Sequence, residues 1–102
     1  MRFGVLGWPV AHSRSPAMFR ALGIPYQLLP LPPELFAETV PELGAAGFTG
    51  ANVTIPHKEA ALALATEATD RAREIGAANT LTFRDGAIHA DNTDAPGLLA
   101  AL

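Results

Sequence analysis

The residues able to do chemistry in this 102-residue chain are few and gathered in short segments. Lysine occurs once, as Lys58, against six arginines; serine occurs only as Ser13 and Ser15, and asparagine only as Asn52, Asn79 and Asn92. A chain that places arginine at nearly every cationic position and lysine at one points to a place where a guanidinium would not serve. Proton transfer is such a place. Arginine stays charged at any accessible pH, whereas an ammonium is a compact donor whose pKa moves with burial and neighbours. Lys58 follows Pro56-His57 and is expected to open a helix, where the positive end of the dipole favours the neutral amine. The plain alternative is a solvated lysine in a first helical turn.

The other polar segments point to a small anionic or hydroxylated ligand. His12-Ser13-Arg14-Ser15-Pro16 sets two hydroxyls two residues apart at a helix start, where free backbone amides also favour an anion such as a carboxylate or phosphate. Ser15 serving only as a helix cap is the competing reading. Asn52 and Thr54 alternate along an expected strand, face the same way, and end that strand directly before Lys58. Strand ends in open α/β sheets are where ligands sit. Asn79 lies at a helix-to-strand corner, where it binds a ligand or simply caps. Asp94 heads the last expected helix; capping it does not exclude catalysis. His12, His57 and His89 lie in separate segments without helical spacing, so no metal site is expected.

These residues need a scaffold, and the hydrophobic pattern outlines one. Arg2 to Gly7 reads as a buried strand, Ser15-Pro16 as a cap with proline at the first helical position, and Ala17 to Leu22 as a brief helix stopped by Gly23. Tyr26 to Leu29 reads as a second strand, Pro33 to Leu43 as a helix disturbed by Pro41, and Ala51 to Ile55 as a third strand. Helices follow from about Lys58 to Ala65 and from Asp70 to Ile75, the latter between a Thr69 cap and a Gly76 stop. Leu81 to Arg84 and Ala87 to Ala90 read as a hairpin about Asp85-Gly86. The expected class is α/β, a mixed and mainly parallel sheet flanked by helices. The apolar end Leu98-Leu99-Ala100-Ala101-Leu102 reads as a helix cut mid-pattern, so residues 1–102 are expected to be one domain with another following.

A net charge of −3 with scattered basic residues leaves no electrostatic footprint for nucleic acid or an anionic membrane. The apolar opening is too short for a signal peptide core or a spanning helix. Without cysteine, disulfides and thiolate metal sites are excluded, and a reducing cytoplasm suits the chain.

Taken in order, Ala11-His12-Ser13-Arg14-Ser15-Pro16, Asn52-Val53-Thr54-Ile55-Pro56-His57-Lys58, Gly76-Ala77-Ala78-Asn79-Thr80 and Asn92-Thr93-Asp94 resemble the successive signatures of shikimate dehydrogenases. Trp8 stands where the family often has asparagine and Ala78 where valine is usual. The resemblance implies the substrate-binding domain of an enzyme that reversibly reduces 3-dehydroshikimate to shikimate with NADP. It implies that Ser13 and Ser15 bind the substrate carboxylate and that Asn52, Thr54, Asn79 and Asp94 hold ring hydroxyls. Lys58, coupled to Asp94, would move the proton. NADP is expected mainly on a C-terminal Rossmann domain, since Gly44, Gly47 and Gly50 lack the spacing of a G-x-G-x-x-G loop. The fragment alone is therefore expected to be inactive. Family members are often monomers or dimers, so a homodimer is open. The competing functions are a non-catalytic binder of a polyhydroxy acid and a dehydrogenase that also accepts quinate. A mere carboxylate binder has more use for a bidentate arginine than for a titratable amine.

Overall fold

Phe3–Gly7 forms strand β1, with four of its five residues buried, as a continuous apolar run should be when both faces of a strand are covered. The computed structural model describes residues 2–8 and 26–93. Strand β2 (Tyr26–Pro30) and strand β3 (Gly50–Val53) both pair parallel with β1, in registers running from Phe3↔Tyr26 to Gly7↔Pro30 and from Phe3↔Gly50 to Leu6↔Val53. Parallel strands of one sheet need a crossover connection, which α1 (Pro33–Ala45) supplies between β2 and β3 on either side of β1.

Helix α1 buries Phe36 and Val40, four residues apart on one face. The helix continues past Pro41 to Ala45, two residues beyond the expected end at Leu43. Proline removes one hydrogen bond, and packing of Phe36 and Val40 before it and of Leu43 after it on the core offsets that loss.

The remaining elements are α2 (Lys58–Leu64), β4 (Glu67–Ala68), α3 (Asp70–Ile75), β5 (Thr80–Arg84) and β6 (Ala87–Asp91). Helix α3 has the expected ends: the Thr69 side chain accepts from the Ala72 N–H, and Gly76 closes the helix at φ 82°. The β5–β6 hairpin turns through Asp85 and Gly86 at φ 51° and 77°, the paired positive values of a type I′ turn. Strand β5 is antiparallel to both β3 and β6, and β4 is parallel to β6. The sheet order is therefore β2-β1-β3-β5-β6-β4, the mixed, mainly parallel sheet expected. Leu6, Val53, Leu81, Ile88 and Ala90 from the sheet cluster with Phe36, Val40 and Ala61 from α1 and α2.

The expected helices at Ala17 to Leu22 and beyond Asp94 lie outside the described residues. Among the described residues no helix is long and apolar enough to cross a membrane.

Candidate functional site

The topology brings the ends of several elements to one margin of the sheet. Parallel pairing puts the C-terminal ends of β1 and β3 side by side, and antiparallel pairing sets the first residue of β5 against the end of β3, with Asn52 opposite Thr80. Strand β6 ends there too, with Asp91 opposite Thr80.

Backbone hydrogen bonds stitch these ends together. The Val53 N–H donates to the Asn79 carbonyl (2.8 Å), the Asn79 N–H to the Asp91 carbonyl (3.0 Å), and the Ala78 N–H to the Lys58 carbonyl (2.9 Å). Asn52, Thr54, Lys58 and Asn79, singled out from sequence, thus converge on one margin. Ser13, Ser15 and Asp94 lie outside the described residues, as does His12.

One correction concerns Thr54. The strand stops at Val53, so strand alternation does not set the Thr54 side chain. Its N–H still donates to the Leu6 carbonyl (2.9 Å), but its own carbonyl accepts the His57 N–H (3.0 Å), closing a turn that contains the cis Ile55–Pro56 bond. The Trp8 N–H donates to the Ile55 carbonyl (3.2 Å), tying that turn to the end of β1.

Lys58 is the first residue of α2, as expected, and it is half-buried. The residue before it anchors the helix start. His57 is 1% exposed and stacks on the Phe36 ring with centroids 4.4 Å apart. Its Nε2 is bonded to the Leu31 carbonyl, and since a carbonyl can only accept, Nε2 carries the proton.

Asn79 sits in a polar cluster. Its side-chain oxygen accepts from the Thr80 hydroxyl (2.9 Å) and from the Thr93 N–H (3.0 Å), while its Nδ2 donates to Thr93 Oγ1 (2.9 Å). Beside it, Asp91 takes a bidentate pair from Arg71, with Nε to Oδ1 at 2.7 Å and Nη2 to Oδ2 at 2.6 Å. The Thr69 hydroxyl and the Asn92 N–H, both at 2.7 Å, also donate to Oδ1. Hydrogen bonds from Arg71 hold the Asp91 carboxyl well below the ordinary carboxylate range against the opposing effect of burial, and the Asp91 carboxylate in turn raises Arg71. Asn92 is buried and gives its Nδ2 to the Ala77 carbonyl at 2.9 Å.

Sequence reasoning missed Arg71 and Asp91, and saw Thr69 only as a cap. Contacts across 20 and 22 residues carry no local pattern. Cavities among the described residues lie away from Lys58: one of about 150 Å³ over β3 and the starts of β1 and β5, lined in part by Asn52 and Thr80, one of about 510 Å³ beside the β5–β6 hairpin, and one of about 160 Å³ along β4.

The chain is similar over nearly its whole length to proteins named shikimate dehydrogenase (NADP(+)). It is 59% identical to that of Paracoccus denitrificans and 53% identical to that of Rhodopseudomonas palustris, covering 95% and 96% of this chain. It spans 37% of the length of each of those relatives. Among solved structures, shikimate 5-dehydrogenase of Thermus thermophilus, in complex with NADP(H) and shikimate, superposes with a TM-score of 0.86 at 44% identity, over all of this chain and 41% of that one. Shikimate dehydrogenase of Aquifex aeolicus gives a TM-score of 0.85 at 37% identity, again over all of this chain and 41% of its own. The model of the shikimate dehydrogenase substrate binding domain matches residues 5–81, a stretch that begins in β1 and ends in β5, and on that match the chain belongs to this family.

Proposed function

We propose that this chain is the substrate-binding domain of an NADP-dependent shikimate dehydrogenase, an oxidoreductase that reversibly reduces 3-dehydroshikimate to shikimate, with Lys58 and Asp94 as its acid–base pair. The observation that carries this reading is convergence: Asn52, Thr54, Lys58 and Asn79 meet at one margin of the sheet, in a chain matched to the substrate binding domain of that family. In this reading Ser13 and Ser15 bind the substrate carboxylate, and Asn52, Thr54, Asn79 and Asp94 hold ring hydroxyls.

The hydride is the reduced nicotinamide's to give, and in this reading NADP is held mainly outside this chain. A further domain holding NADP completes the site in this reading. What this chain supplies is orientation and one proton. Lys58 gives it to the substrate oxygen as the carbonyl becomes a hydroxyl and takes it back in reverse, while Asp94 keeps the ammonium poised. The protein works in the cytoplasm on a small molecule, as a monomer or homodimer.

In the full-length protein, Lys58→Ala is expected to lower kcat by about 10²–10⁴-fold while changing KM little, as loss of a positioned proton donor should. Lys58→Arg should recover little of it. Steady-state kinetics of shikimate oxidation followed through the reduced cofactor decide the matter: near wild-type turnover with arginine would remove the acid–base role.

A further inference from the structure

We infer that Thr80 and Thr93 lock the Asn79 side-chain amide in one orientation, so that Asn79 meets the substrate only as a hydrogen-bond donor. The inference deepens the reading above, in which Asn79 holds a ring hydroxyl, and rests on it.

The hydrogen-bonding capacity of Asn79 can be counted group by group. Its main chain serves the sheet margin: the N–H donates to the Asp91 carbonyl, and the carbonyl accepts from the Val53 N–H. A side-chain amide has two acceptor positions on its oxygen and two protons on its nitrogen. Both oxygen positions are taken, one by the Thr80 hydroxyl at 2.9 Å and one by the Thr93 N–H at 3.0 Å. One nitrogen proton goes to Thr93 Oγ1 at 2.9 Å. Among the described residues, what the amide has left is a single N–H, on a side chain that is only half-buried.

The amide is not free to turn over. Which of its ends is oxygen is decided by what faces it. The two threonine hydroxyls could exchange donor and acceptor roles, but the Thr93 main-chain N–H can only donate. Reversal would set the Asn79 NH₂ against that N–H, donor against donor. A ring hydroxyl that meets Asn79 must therefore accept there and give its own proton to another group. An oxygen with a lone pair suits the position, and an ammonium, which has protons only, does not. Fixing the amide before the substrate arrives also spares the cost of ordering it during binding. Thr80 and Thr93 are positioning residues in this sense, since they act on the substrate through Asn79.

The test is made in the full-length protein with shikimate. In nitrogen-15 spectra, with the Asn79 side-chain signals assigned by their loss in Asn79→Ala, saturating shikimate should move one of the two amide protons downfield and leave the Thr93 N–H in place. An upfield move of the Thr93 N–H would show Oδ1 surrendered to the ligand and would overturn the donor role. Kinetics then separate the routes. Thr93→Val keeps the side-chain shape and the N–H but deletes Oγ1; it should raise KM by about fivefold and change kcat by less than about twofold, with Thr93→Ser restoring KM. In an Asn79→Ala background the same substitution should change KM by less than about twofold. An equal rise in both backgrounds would mean that Thr93 touches the substrate itself, and a fall mainly in kcat that it acts on the chemistry by another route; either overturns the lock. Thr80→Val runs through the same cycle if Thr93→Val does not fold. Asn79→Ala alone reports on the underlying reading: an unchanged KM removes Asn79 from the substrate site, whereas a raised KM with additive effects of Thr93→Val removes the lock and leaves the reading standing.

Discussion

The two flanks of the candidate site are held by different forces. On the Lys58 flank the anchor is apolar: His57 is buried against Phe36 and tied by one side-chain bond to the Leu31 carbonyl. On the Asn79 flank the anchor is a polar net of Asp91, Arg71, Thr69, Asn92 and Thr93, much of it open to solvent. The first is continuous with the hydrophobic core, so the position of Lys58 is bound up with global folding. The second can be loosened while the sheet stays intact. One candidate site can thus have a side that comes with the fold and a side built on top of it.

The largest expected effect breaks the apolar flank. Phe36→Ala removes the ring beneath His57 from a position 1% exposed and should cost about 3–5 kcal/mol, read from urea unfolding. A loss below about 1 kcal/mol would mean that the flank is not anchored through the core. His57→Phe sharpens the point: it preserves a ring for Phe36 and removes only the donor to the Leu31 carbonyl. The expected loss is smaller, about 1–3 kcal/mol, and a variant as stable as the wild type would show that stacking alone holds the helix start.

The smallest effect belongs to the polar flank. Asp91→Asn should lower the thermal midpoint at neutral pH less than either substitution above. Its pH dependence is the more telling measurement. The folded-state carboxyl lies below its ordinary value, so its contribution is full above the ordinary carboxylate range and is lost as the pH falls from there towards the folded-state value. The difference in midpoint between wild type and Asp91→Asn should therefore narrow steadily below about pH 4. A constant difference would show that the carboxylate's charge is not what the net uses.

Local chemistry made much of this legible from sequence. Thr69 and Gly76 bracket α3, and Asp85-Gly86 turns the hairpin, because caps and type I′ turns are decided by one or two residues. Lys58 at a helix start was equally readable. What escaped was set by partners distant in the chain. Helix α1 crosses Pro41 because of what Phe36 and Val40 pack against, a matter no propensity at position 41 records. A local turn also escaped: β3 gives way at Thr54, whose carbonyl accepts the His57 N–H three residues on across the Ile55–Pro56 bond. β4 has two residues and no periodicity to detect. Asn79 was marked as a possible ligand, but its service as a clamp on Thr93 depends on a segment 14 residues away.

Strand β4 also bears on how copies of this molecule meet. Among the described residues it closes one edge of the sheet with Glu67 and Ala68, and Glu67 Oε2 lies 3.0 Å from His89 Nδ1 on the neighbouring strand. A long, flat, apolar edge is a template on which another chain can continue the ladder, and proteins blunt such edges with short strands and charge. Here an incoming strand would find two residues to pair with and a charged side chain beside them. Growth of the sheet from copy to copy, the first step towards a fibril, has almost no purchase on this side.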